Sequence, residues 1–274
     1  MNKAGYNRMD SELRFAILID ADNISDKYIK TILDETANSG IATYKRIYGD
    51  WTSPRLASWK NVLLENSIIP MQQYSYTTGK NSTDSAMIID AMDILYSGNV
   101  DGFCIVSSDS DFTRLASRLR ESGMQVIGMG EEKTPQPFIS ACNQFKYLDL
   151  ICASQQEEEM CEKADDAKST EKVHQKSSQS KRKKKDLKRV RRTINAIIEK
   201  FSDDEGWIYT GKLGDQLSKR MPDFDVRNYG FSKLTPFIRS LGDYEVKKLP
   251  LENGQKQICC RIKTEKQKNG KEKE

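Results

Sequence analysis

Residues 14–149 alternate between strand-like and helix-like segments, and this alternation limits the folds available to the chain more than any other feature. Short apolar runs such as RFAILID (14–20) and FCIVSSD (103–109) are separated by single segments with helical spacing. One helix between successive strands gives a right-handed crossover, and repeated crossovers give a parallel sheet with helices on both faces. The sequence therefore predicts an α/β domain of this kind, with bounds at residues 13–152.

Turn and cap residues set the bounds of the individual elements. Gly40 and Gly98 are typical helix stops, Ser53-Pro54 is a typical helix start, and Pro70 favours a strand start or an edge strand. We predict strands over residues 14–20, 43–49, 68–76, 103–109, 124–130 and 146–151. We predict helices over residues 26–40, 53–67, 82–98, 112–123 and 137–145.

The composition changes after the α/β region. Residues 153–185 contain almost no large apolar residue, so they are predicted to be a disordered, charged linker. The single histidine, His174, lies in this linker and is not expected to have a chemical role. Residues 1–12 and 264–274 are predicted to be tails.

A second, smaller domain is predicted over residues 186–263. Residues 186–201 have the apolar spacing of an amphipathic helix. Two more helices are predicted within 205–224 and 228–242, the first after an aromatic turn. A β-hairpin over 244–250 and 256–263 would turn at Glu252-Asn253-Gly254. Three short helices and a hairpin predict a winged-helix-like α+β domain.

The charge is distributed unevenly along the chain. Residues 1–150 carry 15 Lys and Arg against 19 Asp and Glu, whereas the whole chain has a net charge of +4. The remainder is therefore basic. Such a distribution indicates a polyanionic partner for the basic part, or a charged and solvated tail.

Cysteine and histidine usage excludes several classes of site. The six cysteines form no CxxC pair and there is one histidine, which argues against a zinc site and a histidine-based triad. No apolar run approaches the ~20 residues of a membrane helix, and the first residues lack the apolar stretch of a secretory signal. Scattered cysteines without such a signal predict a cytoplasmic protein.

Four aspartates lie where ligands bind in a doubly wound sheet, beyond the carboxyl ends of the strands. Asp20 ends the first strand, Asp109 and Asp111 follow the strand that begins at residue 103, and Asp84 opens a helix. A structural role is the alternative for two of these positions, Asp84 and Asp111. Asp111 or Ser110 is suited to start a helix, and the helix dipole favours Asp84 in a first turn. Asp20 is poorly placed as a cap because the next helix begins near residue 26.

Acids that converge on one sheet edge repel one another unless a cation neutralises them. Oxygen ligands without histidine or cysteine favour Mg²⁺ or Mn²⁺. A carboxylate-bound divalent cation is the usual arrangement for hydrolysing phosphodiesters. We therefore predict that Asp20, Asp84, Asp109 and Asp111 form a catalytic Mg²⁺ or Mn²⁺ site.

Three stretches carry a family resemblance: AILIDADNIS, KNSTDSAMIIDAM and FCIVSSDSDFTRLASRLRESGMQVIGMG. In order and spacing they resemble the NYN domain of the PIN-like nuclease superfamily, in its LabA-like bacterial branch. The resemblance implies a PIN-like fold and a metal-dependent ribonuclease. By the family motif, Asp20 is the acid that ends the first strand and Asn23 is its polar partner. Asp84 opens the central helix, and Asp109 and Asp111 form the S-x-D-x-D loop.

Four side chains are predicted to contact the substrate: Asn23, Arg46, Lys80 and Ser107. Arg46 belongs to a strand that ends on the same edge of the sheet, and Lys80 precedes Asp84 by four residues. A solvated loop lysine is the alternative for Lys80.

The second domain resembles the OST-HTH/LOTUS domain, a winged-helix variant. The residues that carry this resemblance lie in EGWIYTGKLGDQLSKRMPDFDVRNYGFSKLTPFIRSLGDYEV. It implies RNA binding, or docking onto a protein partner. Phe224, Tyr229 and Phe231 are expected in the core rather than on a base-stacking surface. Three functions stay open: a ribonuclease with an RNA-recruiting module, a non-catalytic RNA-binding or regulatory scaffold with a vestigial metal pocket, and a nuclease that acts on DNA.

Overall fold

The computed structural model describes residues 12–73, 82–155, 179–250 and 256–263. Contacts divide the chain into two compact units, residues 1–153 and 154–274. Nearly all of the predicted tails, most of the predicted linker with His174, and the predicted hairpin turn lie outside the described residues. Across the described ranges, no helix combines the length and apolar character needed to cross a membrane.

A six-stranded parallel sheet forms the centre of the first unit, with the strand order β3-β2-β1-β4-β5-β6. The strands are β1 (Arg14–Asp20), β2 (Ile41–Gly49), β3 (Ile69–Gln72), β4 (Gly102–Val106), β5 (Gln125–Gly130) and β6 (Gln144–Tyr147). Pro70 lies in β3, an edge strand, where its missing N–H costs no ladder hydrogen bond.

Helices cover both faces of this sheet. They are α1 (Ile29–Ala37), α2 (Trp59–Asn66), α3 (Ser82–Ser97), α4 (Thr113–Glu121), α5 (Gln136–Ala141) and α6, which spans residues 148–155. Short 3₁₀ turns at Asp26–Tyr28, Pro54–Leu56 and Ser110–Phe112 precede α1, α2 and α4. One face packs against α1 and α2, and the opposite face packs against α3, α4 and α5.

The central strand explains why the apolar runs are nearly continuous. In β1, Phe15, Ile17 and Ile19 face α1 and α2, whereas Ala16 and Leu18 face α3 and its neighbours. All five are buried because a parallel sheet is covered on both faces. Asp20, at the end of this strand, faces the same side as Leu18, because side chains alternate along a strand.

The strand order reverses between β1 and β4. The chain proceeds from β1 outward to β2 and β3, then returns to β4 and proceeds outward on the other side to β5 and β6. This reversal leaves a crevice beyond the carboxyl ends of β1 and β4, which is the usual ligand position in a doubly wound sheet. Asp20 ends β1, and Ser107 follows β4.

The strand predicted over residues 146–151 is wrong in its position. The strand β6 spans Gln144–Tyr147 and pairs with Ile127–Gly130 of β5, and the chain is helical from residue 148. Leu148 and Ile151 are both fully buried, and their spacing of three residues is helical rather than strand-like. A short apolar run does not distinguish these two periods by itself.

The second unit is a small α+β domain with its own core. Its elements are α7 (Gln179–Phe201), β7 (Ile208–Tyr209), α8 (Thr210–Arg220), α9 (Leu234–Ser240), β8 (Tyr244–Pro250) and β9 (Lys256–Ile262). The antiparallel sheet has the order β7-β9-β8, so the predicted aromatic turn contains a third strand. Apolar side chains of α7, α8 and α9 form the core. Phe224, Tyr229 and Phe231 pack against it, and the ring of each contacts Phe237.

Helix α7 begins seven residues before its predicted start at Asp186. The additional turns fall in the run SKRKKK, within the predicted linker. Lysine and arginine are good helix formers, and this run contains no glycine or proline that would end a helix. The polar composition that predicted a linker is therefore compatible with a helix.

Candidate active site

Asp20 is a fully buried carboxylate at the end of β1. Its Oδ2 accepts hydrogen bonds from Asn23 Nδ2 at 2.7 Å and Ser107 Oγ at 2.7 Å, and its Oδ1 accepts one from the Asp22 N–H at 3.1 Å. Burial raises the pKa of Asp20, while these hydrogen bonds act in the opposite direction. The side chain is therefore fixed in position by three donors.

Ser107 connects Asp20 to the loop after β4. Its hydroxyl donates to Asp20 and accepts a hydrogen bond from the Asp109 N–H at 3.0 Å. Ser107 is fully buried, and Asn23 is the other side chain that donates to Asp20. Asn23 and Ser107, both predicted to contact substrate, thus hold Asp20 in place. Their contact with substrate stays a prediction.

Asp109 is the residue that caps the helical segment after β4. It has extended backbone angles, and its Oδ1 accepts a hydrogen bond from the Asp111 N–H at 2.9 Å. Asp111 lies in the 3₁₀ turn that follows. The sequence predicts Asp111 or Ser110 at the helix start, whereas the structure has Asp109 as the cap and Asp111 as the acid of the first turn. This hydrogen bond uses one carboxylate oxygen of Asp109, and it fixes Asp109 and Asp111 relative to each other.

Three of the four predicted acids converge. Carboxylate oxygens of Asp84, Asp109 and Asp111 all lie within 4.8 Å of one another. Burial, together with the negative charges of Asp20, Asp109 and Asp111, raises the pKa of Asp84 to about 6. Asp20 is not part of this group of three, although its charge acts on Asp84.

The donor set suits a hard divalent cation. Asp84 offers a carboxylate oxygen from α3, and Asp109 and Asp111 offer theirs from the loop after β4. Three carboxylates within 4.8 Å repel one another, and Mg²⁺ or Mn²⁺ would relieve this repulsion. The residues present therefore fit such an ion, with Asp84, Asp109 and Asp111 as its ligands.

Arg46 has a protein partner in the structure. Its guanidinium forms an ion pair with Asp90 of α3, and the Tyr48 hydroxyl donates to the other oxygen of the same carboxylate. The guanidinium also lies 5.2 Å from the centre of the Tyr44 ring. Substrate binding by Arg46 stays a prediction. Lys80, the other predicted cationic contact, lies outside the described residues.

Asp90 is a residue whose role the sequence interpretation missed. Read by itself, it is an ordinary polar position on a helix. The useful signal was in β2, where Tyr44, Arg46 and Tyr48 share one face at a spacing of two residues. A cationic side chain on a strand face covered by a helix requires a carboxylate partner, and α3 is the helix that covers this face.

Sequence profiles of two domain families match the chain in succession. The NYN domain matches residues 14–149, and the OST-HTH/LOTUS domain matches residues 183–254. No curated protein matches the chain.

Two solved structures are partly similar. The crystal structure of VPA0982, a protein of unknown function from Vibrio parahaemolyticus RIMD 2210633, has 20% identity and a TM-score of 0.43, over 51% of this chain and 96% of that chain. The solution NMR structure of an uncharacterized protein from gene locus NE0665 of Nitrosomonas europaea has 29% identity and a TM-score of 0.26, over 36% of this chain and 85% of that chain.

NYN domains are generally nucleases that use divalent metals, and OST-HTH/LOTUS domains are associated with RNA binding. The doubly wound sheet, the acids at its reversal point and the profile match agree for the first unit. The chain therefore consists of an NYN domain with a nuclease-like α/β fold, followed by an OST-HTH/LOTUS domain.

Proposed function

We propose that this protein is a ribonuclease that depends on Mg²⁺ or Mn²⁺ and hydrolyses RNA phosphodiester bonds. The observation that carries the proposal is the convergence of Asp84, Asp109 and Asp111 within 4.8 Å at the reversal point of the sheet. Membership of the first unit in a family of nucleases supports hydrolysis as the reaction. The adjoining OST-HTH/LOTUS domain supports RNA as the substrate.

The four acids have two roles in this proposal. Asp84, Asp109 and Asp111 hold the cation, and the buried Asp20 adds a fourth negative charge beside them. Bound there, Mg²⁺ or Mn²⁺ supplies Lewis-acid stabilisation for phosphodiester hydrolysis. Asn23 and Ser107 hold Asp20 in one orientation through hydrogen bonds of 2.7 Å each. Because the site is fixed before substrate arrives, little reorganisation is needed during the reaction.

We also propose a cytoplasmic location and recruitment of RNA by the second unit. Cys104, Cys142, Cys259 and Cys260 form no disulfide within the described part of the chain, which agrees with a reducing compartment. Docking of a protein partner onto the OST-HTH/LOTUS domain is the competing role for this unit, and a binding assay with RNA alone separates the two.

The test is cleavage of labelled single-stranded and structured RNA by the purified protein, with and without Mn²⁺. Asp109→Asn is expected to reduce cleavage by more than the roughly 10–100-fold typical of residues that surround a metal's ligands. Asp20→Asn tests the buried acid in the same assay. Asp93→Asn is the matched control, because Asp93 is an exposed acid on α3 outside the acidic group.

The outcome that contradicts the proposal is equal trace cleavage by wild type, Asp20→Asn and Asp109→Asn. Retained RNA binding in that case would identify a non-catalytic RNA-binding scaffold with a vestigial metal pocket. Single-stranded DNA of the same sequence serves as a further arm. Equal cleavage of DNA and RNA would contradict specificity for RNA and leave the nuclease assignment intact.

A further inference from the structure

Three cationic side chains of the second unit surround one aromatic ring. The charged groups of Lys200, Lys212 and Arg220 lie 5.6, 5.3 and 5.7 Å from the centre of the Phe201 ring. Phe201 is the last residue of α7 and packs against the core of the unit. Lys212 is in the first turn of α8 and Arg220 is its last residue, so both ends of this helix direct a cation toward the same ring.

These cations differ from most of the arginines of the same unit. Arg189, Arg191, Arg227 and Arg261 each form an ion pair with an aspartate or glutamate. Within the described residues, Lys200, Lys212 and Arg220 form no ion pair, and all three are exposed. Positive charge is therefore concentrated around Phe201 and is not neutralised by carboxylates in direct contact.

A second aromatic ring provides an internal comparison. Trp207 also has two cations near its ring, with the Arg261 guanidinium at 4.5 Å and the Lys247 ammonium at 5.8 Å. Both of these cations are paired with Glu245, at 2.9 and 2.7 Å. The cluster around Trp207 is therefore neutralised in part, and the cluster around Phe201 is not.

Within the described residues, no acid forms an ion pair with Lys200, Lys212 or Arg220. Asp203 Oδ1 accepts hydrogen bonds from the N–H groups of Glu205 and Trp207, which closes the turn after α7. Asp215, the acid of α8, forms no ion pair with a described residue. The three positive charges repel one another, and a bound polyanion would offset this repulsion. The attraction of each cation to the ring face limits the positions that the cationic groups adopt.

We infer that Lys200, Lys212 and Arg220, arranged around Phe201, bind the phosphate backbone of single-stranded RNA. The inference rests on the proposed function for the choice of RNA as the polyanion. A compact group of three cations at the junction of two helices suits successive phosphates of one flexible strand. This surface differs from α9, the third helix of the domain, which in winged-helix proteins that bind DNA is the helix that enters the major groove.

The test measures binding of a short labelled oligouridine to the full chain in EDTA, as a function of salt. In EDTA, binding is measured without metal-dependent cleavage, so failure of the nuclease proposal and failure of this inference are distinguishable. The triple variant Lys200→Gln, Lys212→Gln, Arg220→Gln is expected to bind about tenfold more weakly, and the slope of log K against log salt should decrease by about 2. Phe201→Leu keeps an apolar side chain and should weaken binding by a smaller factor without changing the slope.

The matched control removes three charges elsewhere in the same unit. Lys233→Gln, Arg239→Gln, Lys248→Gln changes the net charge equally, and these residues are exposed at the start of α9, in α9 and in β8. An effect of this control equal to or larger than that of the cluster variant would overturn the inference. Competition by polyglutamate as effective as by unlabelled oligouridine would also overturn it, because an acidic protein segment would then fit the surface as well as RNA.

Discussion

The Ser107 hydroxyl is the smallest group on which the geometry of the acidic site depends. It joins the Asp20 carboxylate to the Asp109 backbone, with hydrogen bonds of 2.7 and 3.0 Å. Ser107→Ala leaves the Asp109 N–H without this acceptor and removes one donor from the buried Asp20. We expect a loss of about 1–3 kcal/mol in the free energy of unfolding, because unsatisfied buried polar groups are costly. We also expect a clear loss of metal-dependent cleavage. Urea unfolding measures the change in stability, and RNA hydrolysis with Mn²⁺ measures the change in cleavage.

The neighbouring Ser108 provides the control for this prediction. Its hydroxyl accepts a hydrogen bond from the Glu131 N–H at 3.0 Å and is similarly buried. Ser108→Ala therefore removes an equivalent bond outside the acidic group. If both variants lose stability and activity to the same extent, Ser107 has only a structural role and does not position the acids.

Asp84 links the acidic site to the stability of the protein. Its pKa is raised from 3.8 to about 6, so the folded state binds more protons than the unfolded state between these two values. Without metal, the stability from this group is fully present below pH ~4 and is lost as the pH rises through ~6. Asp84 is half-buried, so we expect a loss of roughly 1 kcal/mol after solvent screening. Urea unfolding in EDTA across this pH range measures it.

Asp84→Asn is expected to remove this pH dependence and to be more stable than wild type in EDTA at neutral pH, by about 1 kcal/mol. Adding Mn²⁺ should reverse the order, because the ion stabilises the wild-type folded state by binding to it. Equal stabilisation of the two proteins by Mn²⁺ would show that Asp84 is not a ligand.

At the scale of elements, Asp90 joins α3 to β2 and so fixes the helix that carries Asp84. Its carboxylate accepts hydrogen bonds from Arg46 and Tyr48 on the covered face of the sheet. Asp90→Ala leaves the guanidinium without its partner, and we expect a loss of about 3–5 kcal/mol in the free energy of unfolding. Asp93→Ala, at an exposed position of the same helix, should change stability by less than about 0.5 kcal/mol. Thermal unfolding distinguishes them, and similar losses for both would contradict the role of Asp90.

Elements whose boundaries follow from local chemistry were predictable. The strand β1 has its predicted bounds, because an apolar run ends there in a charged residue, and Gly98 follows the end of α3 with a φ of 67°, which favours glycine. The acids at the carboxyl edge were also predictable, since the position of that edge follows from the alternation of strands and helices. Two features were not predictable: whether the apolar run after Gln144 has helical or strand-like spacing, and which residue pairs with Arg46. Both depend on packing between distant segments, which one sequence does not reveal.

Two separate hydrophobic cores determine the behaviour of the whole molecule. The first unit has its core on both faces of the parallel sheet, and the second has its own core among α7, α8, α9 and the small sheet. A unit that buries its own core is expected to fold without the other. Fragments 1–155 and 179–274 should therefore each unfold in a single transition, at a temperature close to that of the corresponding transition in the full chain. Calorimetry of the three proteins tests this.

Division of the chain should also separate binding of RNA from cleavage. Asp20, Asp84, Asp109 and Asp111 belong to the first unit, so fragment 1–155 should cleave RNA with Mn²⁺ at a saturated rate close to that of the full chain. Its KM should be higher and less sensitive to salt, because it lacks the cations around Phe201. Cations that bind phosphates release counterions from the RNA, and this release makes binding depend on salt. A fragment with unchanged KM would show that the second unit does not recruit this RNA. A fragment that folds but does not cleave would show that the acids of the first unit are insufficient for the reaction.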